Sequence, residues 1–346
     1  MLFRSKTGAV ATWTGGTYTF APAAAGYQSG NGANFNFGQR PFAYTPPSGF
    51  QTLCTWNLPG PTIQNGASYM AATTYTGTGA TQSISDAVNN VSFQPDFIWL
   101  KSRSNPRDHR AMDSVRGIND VLTVDSTAAA YTGSALASIN SNGFTLNTSD
   151  NQNIAAETYV GWQWKAGGTA VTNTAGSITS QVSANTTSGF AVVTYTGTGA
   201  NATVGHGIGI APSMIIVKGR FATNWSVYHS ALTSAATSIL ILNSTGAVVG
   251  SLPSYWNSTA PTSSVFSLGT DSNVNGTNAA GLVAYCFAAI PGYSAFGSYT
   301  GNGSADGTFI YCGFRPRWIM VKSSSNSGTN WVVIDTARDT YNLAGQ

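Results

Sequence analysis

A unit of about 105 to 120 residues recurs along this chain, and that recurrence limits the folds open to it more than any other feature. Tyr75-Thr-Gly-Thr-Gly79 returns as Tyr195-Thr-Gly-Thr-Gly199 and as Tyr299-Thr-Gly-Asn-Gly303. Each copy is followed by a proline that opens an apolar run and a lysine that closes it: Pro95 and Lys101, Pro212 and Lys218, Pro316 and Lys322. Three of only five lysines hold that one position, so the lysine belongs to the motif. The runs 97–100, 214–217 and 318–321 are apolar throughout rather than alternating, which predicts strands buried on both faces, with proline admitted at the entry. A second strand across a hairpin is expected from Trp225 to His229 and from Trp331 to Asp335. His109 to Asp113 stands there in the first copy, which lacks the tryptophan.

A second block also recurs. Phe144-Thr-Leu, Asn151-Gln-Asn153 and Tyr159-Val-Gly-Trp-Gln-Trp164 match Phe266-Ser-Leu, Asn273-Val-Asn275 and Leu282-Val-Ala-Tyr-Cys-Phe287. The third copy reaches residue 346 before this block, so the chain is expected to stop inside a domain. The unit has the length of one β-sandwich, and solenoid repeats are shorter. Composition points the same way: 39 glycines suit strands joined by tight turns, and a single glutamate, Glu157, leaves too little material for helix surfaces. The fold class expected is all-β, built of tandem antiparallel β-sandwich repeats of jelly-roll or concanavalin-like form. The segments expected are 67–188 and 189–293 as two complete repeats, with 294–346 as the start of a third and 1–66 as a different segment ahead of them.

The net charge is +3 and the basic residues are scattered apart from Arg103, Arg107 and Arg110, so no nucleic-acid face is expected. No apolar stretch approaches the roughly 20 residues of a membrane span, and no membrane insertion is expected. Cys54, Cys286 and Cys312 are far apart, the latter two within apolar strand-like runs, and are read as buried free thiols.

Before Tyr75 the sequence changes character. Asn36-Phe-Gly-Gln-Arg-Pro-Phe42 resembles the last strand of SPRY-type domains, concanavalin-like β-sandwiches used for binding, as these occur in marine phage proteins. Thr45-Pro-Pro-Ser-Gly-Phe50 and Leu53-Cys-Thr-Trp-Asn-Leu-Pro59 are similar to the tail of the same phage domains, so 1–66 is expected to be a SPRY-like remnant with a linker. The string Leu2-Phe-Arg-Ser5 is what one frame of a sequencing-adapter end encodes, and the true start is expected upstream. From Tyr75 onward the repeats resemble a family of undefined activity found in phage structural and tail-fibre-like proteins. The resemblance implies a virion location, other virion proteins as partners and a homotrimeric fibre, and it transfers no catalytic residue.

Titratable groups are few in this chain. Glycoside hydrolysis uses two carboxyl groups roughly 5 to 9.5 Å apart, and neither Glu157 nor Asp113 nor Asp335 has a partner identifiable by spacing. His109, His206 and His229 lack a zinc-ligand pattern, and the stretch from Asp271 to Gly276 lacks the closing glutamate of a calcium loop, so no cofactor or metal is expected. Trp225, Tyr228, His229, Trp331, Asp335 and Arg338 combine aromatic faces with hydrogen-bonding groups, which suits a glycan. The competing reading is that alternate members of the first strand face the core. The function expected is that of a non-enzymatic phage virion protein, tail- or fibre-like, attaching to host-surface glycan. A tail-spike polysaccharide-degrading enzyme and a scaffolding module without ligand are the alternatives.

Overall fold

The computed structural model describes residues 61–148 and 151–339, together with 4, 5, 8 and 9. It divides into two compact units, Met1–Gly60 and Pro61–Gln346. In the first, β1 (Arg4–Ser5) pairs antiparallel with β2 (Gly8–Ala9). The residues that carry the SPRY-like resemblance, and Cys54, lie outside the described residues.

In the second unit the first repeat contains β3 (Met70–Thr76), β4 (Gln82–Ser85), β5 (Phe97–Ser102), β6 (Arg110–Asp113), β7 (Gly117–Thr123), β8 (Tyr131–Thr132), β9 (Leu136–Asn140), β10 (Gly143–Leu146) and β11 (Thr158–Trp164). The second contains β12 (Val171–Asn173), β13 (Ser180–Asn185), β14 (Phe190–Tyr195), β15 (Ala202–Gly205), β16 (Met214–Gly219), β17 (Trp225–His229), β18 (Leu240–Ile241), α1 (Pro253–Trp256), β19 (Val265–Leu268), α2 (Ser272–Asn275) and β20 (Leu282–Phe287). The third contributes the hairpin β21 (Trp318–Val321) and β22 (Val332–Asp335). No described helix is long and apolar enough to cross a membrane.

The repeat in sequence is a repeat in topology. The large sheet of the first copy runs β3-β11-β5-β6-β7-β8, and the second runs β14-β20-β16-β17-β18 with β13 and β12 added beyond β14. All of these ladders are antiparallel. A small sheet, β4-β10-β9 or β15-β19, lies over one face of each. The all-β, antiparallel sandwich class read from the sequence is the class observed.

Both sequence blocks meet at one intra-repeat lock. The Tyr75 hydroxyl donates to the Gln152 carbonyl at 2.9 Å, and that of Tyr195 donates to the Val274 carbonyl at 2.7 Å. Asn153 accepts from the Thr78 amide and donates to the Ala80 and Asn147 carbonyls, while Asn275 does the same with Thr198, Ala200 and Gly269. A Cβ on Gly77 or Gly197 would fall within 3.0 Å of the backbone of Ile154 or Asn275, so only glycine lets these turns close. The calcium-loop mimic is accounted for here too, since the Asp271 side chain caps α2 by accepting from the Asn273 amide at 2.9 Å.

Why the motif strands are apolar at every position follows from the two-residue period. Ile98 and Leu100 face the small sheet, where they join Ile84, Met112, Phe144 and Tyr159. Phe97 and Trp99 face the other way, into a core shared with Phe190, Met214, Ile216, Trp225 and Tyr285 of the second repeat. The large sheets of successive repeats therefore pack on each other. Trp318, Met320, Trp331 and Val333 of the third repeat pack against the same core. The division at 188/189 falls between β13 and β14, neighbouring strands of one sheet, and 61–346 is one compact unit with a core shared between repeats.

The repeats also differ at Cys312. Cys286 is a buried free thiol as expected, whereas Cys312 is half-buried and the run 309–312 forms no strand, with Phe309 87% exposed.

Candidate functional site

The recurring lysines show how one repeat grips the last. The buried Lys218 ammonium donates to the Thr127 carbonyl of the first repeat and to the Phe221 and Thr223 carbonyls of its own loop. Lys322 likewise donates to the Thr245 carbonyl of the second repeat and to Ser323. Burial lowers the Lys218 pKa to about 8, and the ring of carbonyls stabilises the charge that remains. Lys101, in the first repeat, donates to the Arg107 carbonyl of its own loop.

Four of the six residues expected to face a glycan sit between repeats. Trp225, 1% exposed, donates its indole N–H to the Thr123 carbonyl at 2.9 Å, and Trp331 donates to the Ile241 carbonyl at 3.0 Å. Asp335, 2% exposed, accepts from the Trp162 indole at 2.9 Å and from Arg338 Nε at 2.6 Å, while Arg338 stacks over the Trp162 ring. Tyr228 is in the second sandwich core, edge-on to Trp256. His229 is half-buried and accepts from the Ala231 amide through Nδ1. Trp225, Tyr228 and Asp335 are buried and offer no exposed face to a glycan, whereas His229, Trp331 and Arg338 are half-buried. The two-residue strand period turns Trp225 and Val227 into the inter-repeat core and Tyr228 into the intra-repeat one.

A pattern that sequence reasoning passed over explains Asp335 and Arg338. Asp-x-x-Arg occurs at Asp113/Arg116 and again at Asp335/Arg338, with His229/Leu232 in the second repeat. In each Asp copy one carboxylate oxygen accepts the two following backbone amides, Val115 and Arg116 or Ala337 and Arg338, and the other binds the arginine at 2.6 Å. The second oxygen also reaches the next repeat: Asp113 accepts from the Tyr285 hydroxyl at 2.8 Å, as Asp335 does from Trp162. The recurrence of the spacing was the available signal.

These contacts run one way around a ring. The first repeat holds the second (Asp113 to Tyr285, Thr127 to Lys218), the second holds the third (Thr245 to Lys322, Ile241 to Trp331), and the third holds the first (Asp335 to Trp162).

Around Arg116 the contacts become a charged network. Arg116 and Asp113 are both fully buried; Arg116 also donates to the Asp120 carbonyl and pairs with its carboxylate at 3.4 Å. Burial works against the guanidinium charge, but Asp113, Tyr285 and Asp120 outweigh it, and its pKa lies above the ordinary value. Asp120 in turn pairs with the partly exposed Arg220 of the second repeat. Above this network opens a cleft of about 570 Å³, with Ile118, Asn119, Asp120, Tyr131, Thr132 and Arg220 among its lining residues. Tyr131 is 41% exposed, and the Arg110 guanidinium stacks on its ring at 5.4 Å. The lining of the cleft offers one aromatic ring, an arginine and amide and hydroxyl groups.

The remaining acid candidate is also engaged. Glu157 takes a two-pronged bond from Arg107 at 2.7 and 2.6 Å and a third from Tyr159, and the Arg107 bonds hold its pKa down at about 2. Among the described residues no cluster of three His, Cys, Asp or Glu side chains is placed to hold a metal ion.

Fold and contacts together define an all-β repeat protein in which the recurring polar residues join one repeat to the next. The family model described as a domain of unknown function (DUF7483) matches residues 65–346, and the chain belongs to that family. The match spans all three repeats and nearly coincides with the compact unit 61–346. No curated protein and no solved structure matches the chain.

Proposed function

We propose that the chain is a non-enzymatic structural protein of a phage particle, a tail- or fibre-like module that holds a rigid surface among other virion proteins. The observation that supports this most is the ring of buried contacts. Side chains with chemical potential, namely Asp113, Arg116, Lys218, Trp225 and Asp335, are engaged in joining repeats. A general acid in glycoside hydrolysis needs a raised carboxyl pKa, and Glu157 is held in the opposite direction. Mass spectrometry of particles purified from the host that carries the gene tests the reading. Peptides from 61–346 at the abundance of other structural proteins support it, and their absence with good coverage of those proteins overturns it.

Attachment to host-surface glycan is the part of this reading that rests on the cleft at Tyr131, where an exposed ring lies beside Arg220 and Asn119. Glycan-array binding by the full chain, lost on Tyr131→Ala with the unfolding midpoint unchanged, is the expected result. No binding to any glycan favours the module without ligand.

A further inference from the structure

Given the reading of the Tyr131 cleft as a glycan site, on which this rests, we propose that its ligand is an uncharged, linear oligosaccharide that continues past Arg220 into a second hollow of the second repeat. That hollow, of about 210 Å³, is lined by Thr179, Gln181, Thr194 and Thr196 together with residues 279–282. Arg220 and Ala280 line both hollows, so the two adjoin at these residues. The cleft has the size of a small-ligand pocket by itself, whereas the second hollow falls below the roughly 300 Å³ at which such pockets begin and acts as an extension of the first.

Charge sets the class of ligand. The ionised side chains on the lining are Arg116, Asp120 and Arg220. Arg116 is held by Asp113 and Asp120, and Arg220 pairs with Asp120, so these two guanidinium groups and two carboxylates balance. The rim is balanced as well, since Arg110, over the Tyr131 ring, pairs with Asp108 at 3.2 Å. An anionic sugar brought to Arg220 meets the Asp120 carboxylate beside it, and a cationic one meets the guanidinium groups. A neutral hydroxyl meets neither penalty, and it can donate to the carboxylate or accept from the guanidinium.

Recognition of hydroxyl groups needs polar side chains that the fold leaves unengaged. Where Asp113, Lys218 and Asp335 are all bonded between repeats, the side chains of Asn119, Thr132, Thr194 and Thr196 along this groove form no hydrogen bond among the described residues. Asn119, Thr132 and Thr196 are exposed, and Thr194 is half-buried on β14. The far hollow crosses β13, β14 and the start of β20, which are neighbours in one sheet. At ~4.8 Å from strand to strand that is a further 10 Å or so, roughly, beyond Arg220, and a chain of several sugars rather than one ring on Tyr131 is needed to fill both hollows.

The test titrates the full chain with gluco-, galacto-, manno- and chito-oligosaccharides from monosaccharide to hexasaccharide, and with oligomers of uronic and sialic acids. At least one neutral series should bind, with affinity rising about tenfold from trisaccharide to hexasaccharide and changing less than about twofold between low and high salt. Thr194→Val, which keeps the branched shape and removes one hydroxyl, should weaken the hexasaccharide about fivefold, the value of roughly one hydrogen bond, and leave the trisaccharide unchanged. Tyr131→Ala should weaken both. Acidic oligomers that bind as tightly as any neutral series, no gain with length, or a Thr194→Val loss shared by the two lengths would each overturn the proposal while leaving the cleft a glycan site. No binding of any sugar, or binding indifferent to Tyr131→Ala, would overturn the glycan reading itself and the proposal with it.

Discussion

Replacing Asp113 by asparagine tests the inter-repeat network at its most buried point. Asp113 and Arg116 have no exposed side-chain surface, and the carboxylate accepts from Arg116 Nε at 2.6 Å, the Tyr285 hydroxyl at 2.8 Å and two backbone amides. Asparagine keeps one acceptor for the amides but turns a donor or a neutral oxygen toward the guanidinium. Arg116 is then left with the Asp120 carboxylate at 3.4 Å and two carbonyls. Breaking one side of a buried ion pair costs about 3–5 kcal/mol, and Asp113→Asn should fall in that range. Tyr285→Phe removes one hydroxyl bonded to a charged group, a loss of about 1.5–3 kcal/mol. Because that hydroxyl also accepts from Arg116 at 3.2 Å, the two changes touch one network, and the double variant should fall short of the sum by about 1–2 kcal/mol. Urea unfolding at pH 7, followed by tryptophan fluorescence and circular dichroism, reads all three. A loss under about 1 kcal/mol for Asp113→Asn, or additivity within about 0.5 kcal/mol, would refute the reasoning.

Other outcomes follow from single residues. Burial, reinforced by Lys101 and Arg338, lowers the His109 pKa to about 4, and its Nδ1 accepts from the Trp99 indole. The unfolded chain therefore binds the proton first, and stability falls as pH drops from about 6.5 to 4. His109→Gln should flatten that slope by roughly 2–3 kcal/mol in denaturation at stepped pH. Asp86 behaves in the opposite sense, since burial raises its pKa to about 6. Its contribution to stability is present below about 3.8 and is lost as pH rises through 6, so Asp86→Asn should stabilise the protein at pH 7 by roughly 1–2 kcal/mol. Gly197→Ala would press a Cβ into the backbone of Asn275, and a loss of about 2–4 kcal/mol with a lower thermal midpoint is expected.

Much of the fold could be read from the chain because the repeat is written twice in the same residue types. The strands 97–100 and 214–217, their proline entries and the hairpins beyond them follow from pattern alone. What covers the second face does not. Phe97 and Ile98 are equally apolar, yet one faces a neighbouring repeat and the other its own small sheet. Hydrophobicity has no label for which core a side chain enters. The same ambiguity misdirects the aromatic reading: Trp225 and Trp331 look like sugar platforms in sequence, and only the inter-repeat carbonyls at Thr123 and Ile241 show their use. The lysine motif was visible as a pattern but not as a mechanism, because its partners Thr127 and Thr245 lie in the preceding repeat. The cleft residue Arg220 was invisible for a similar reason, since Asp120 pairs with it from 100 positions away in the chain.

That residues 61–339 behave as one interlocked body is tested most directly by native-state hydrogen exchange on the full chain and on Asp113→Asn. A shared core should give the amides of β5 and β16 opening free energies within about 1 kcal/mol of each other, and the substitution in the first repeat should lower both, with β20 following. Exchange in β16 and β20 that stays unchanged while β5 loosens would contradict the account, because it would mean that the repeats fold as separate sandwiches.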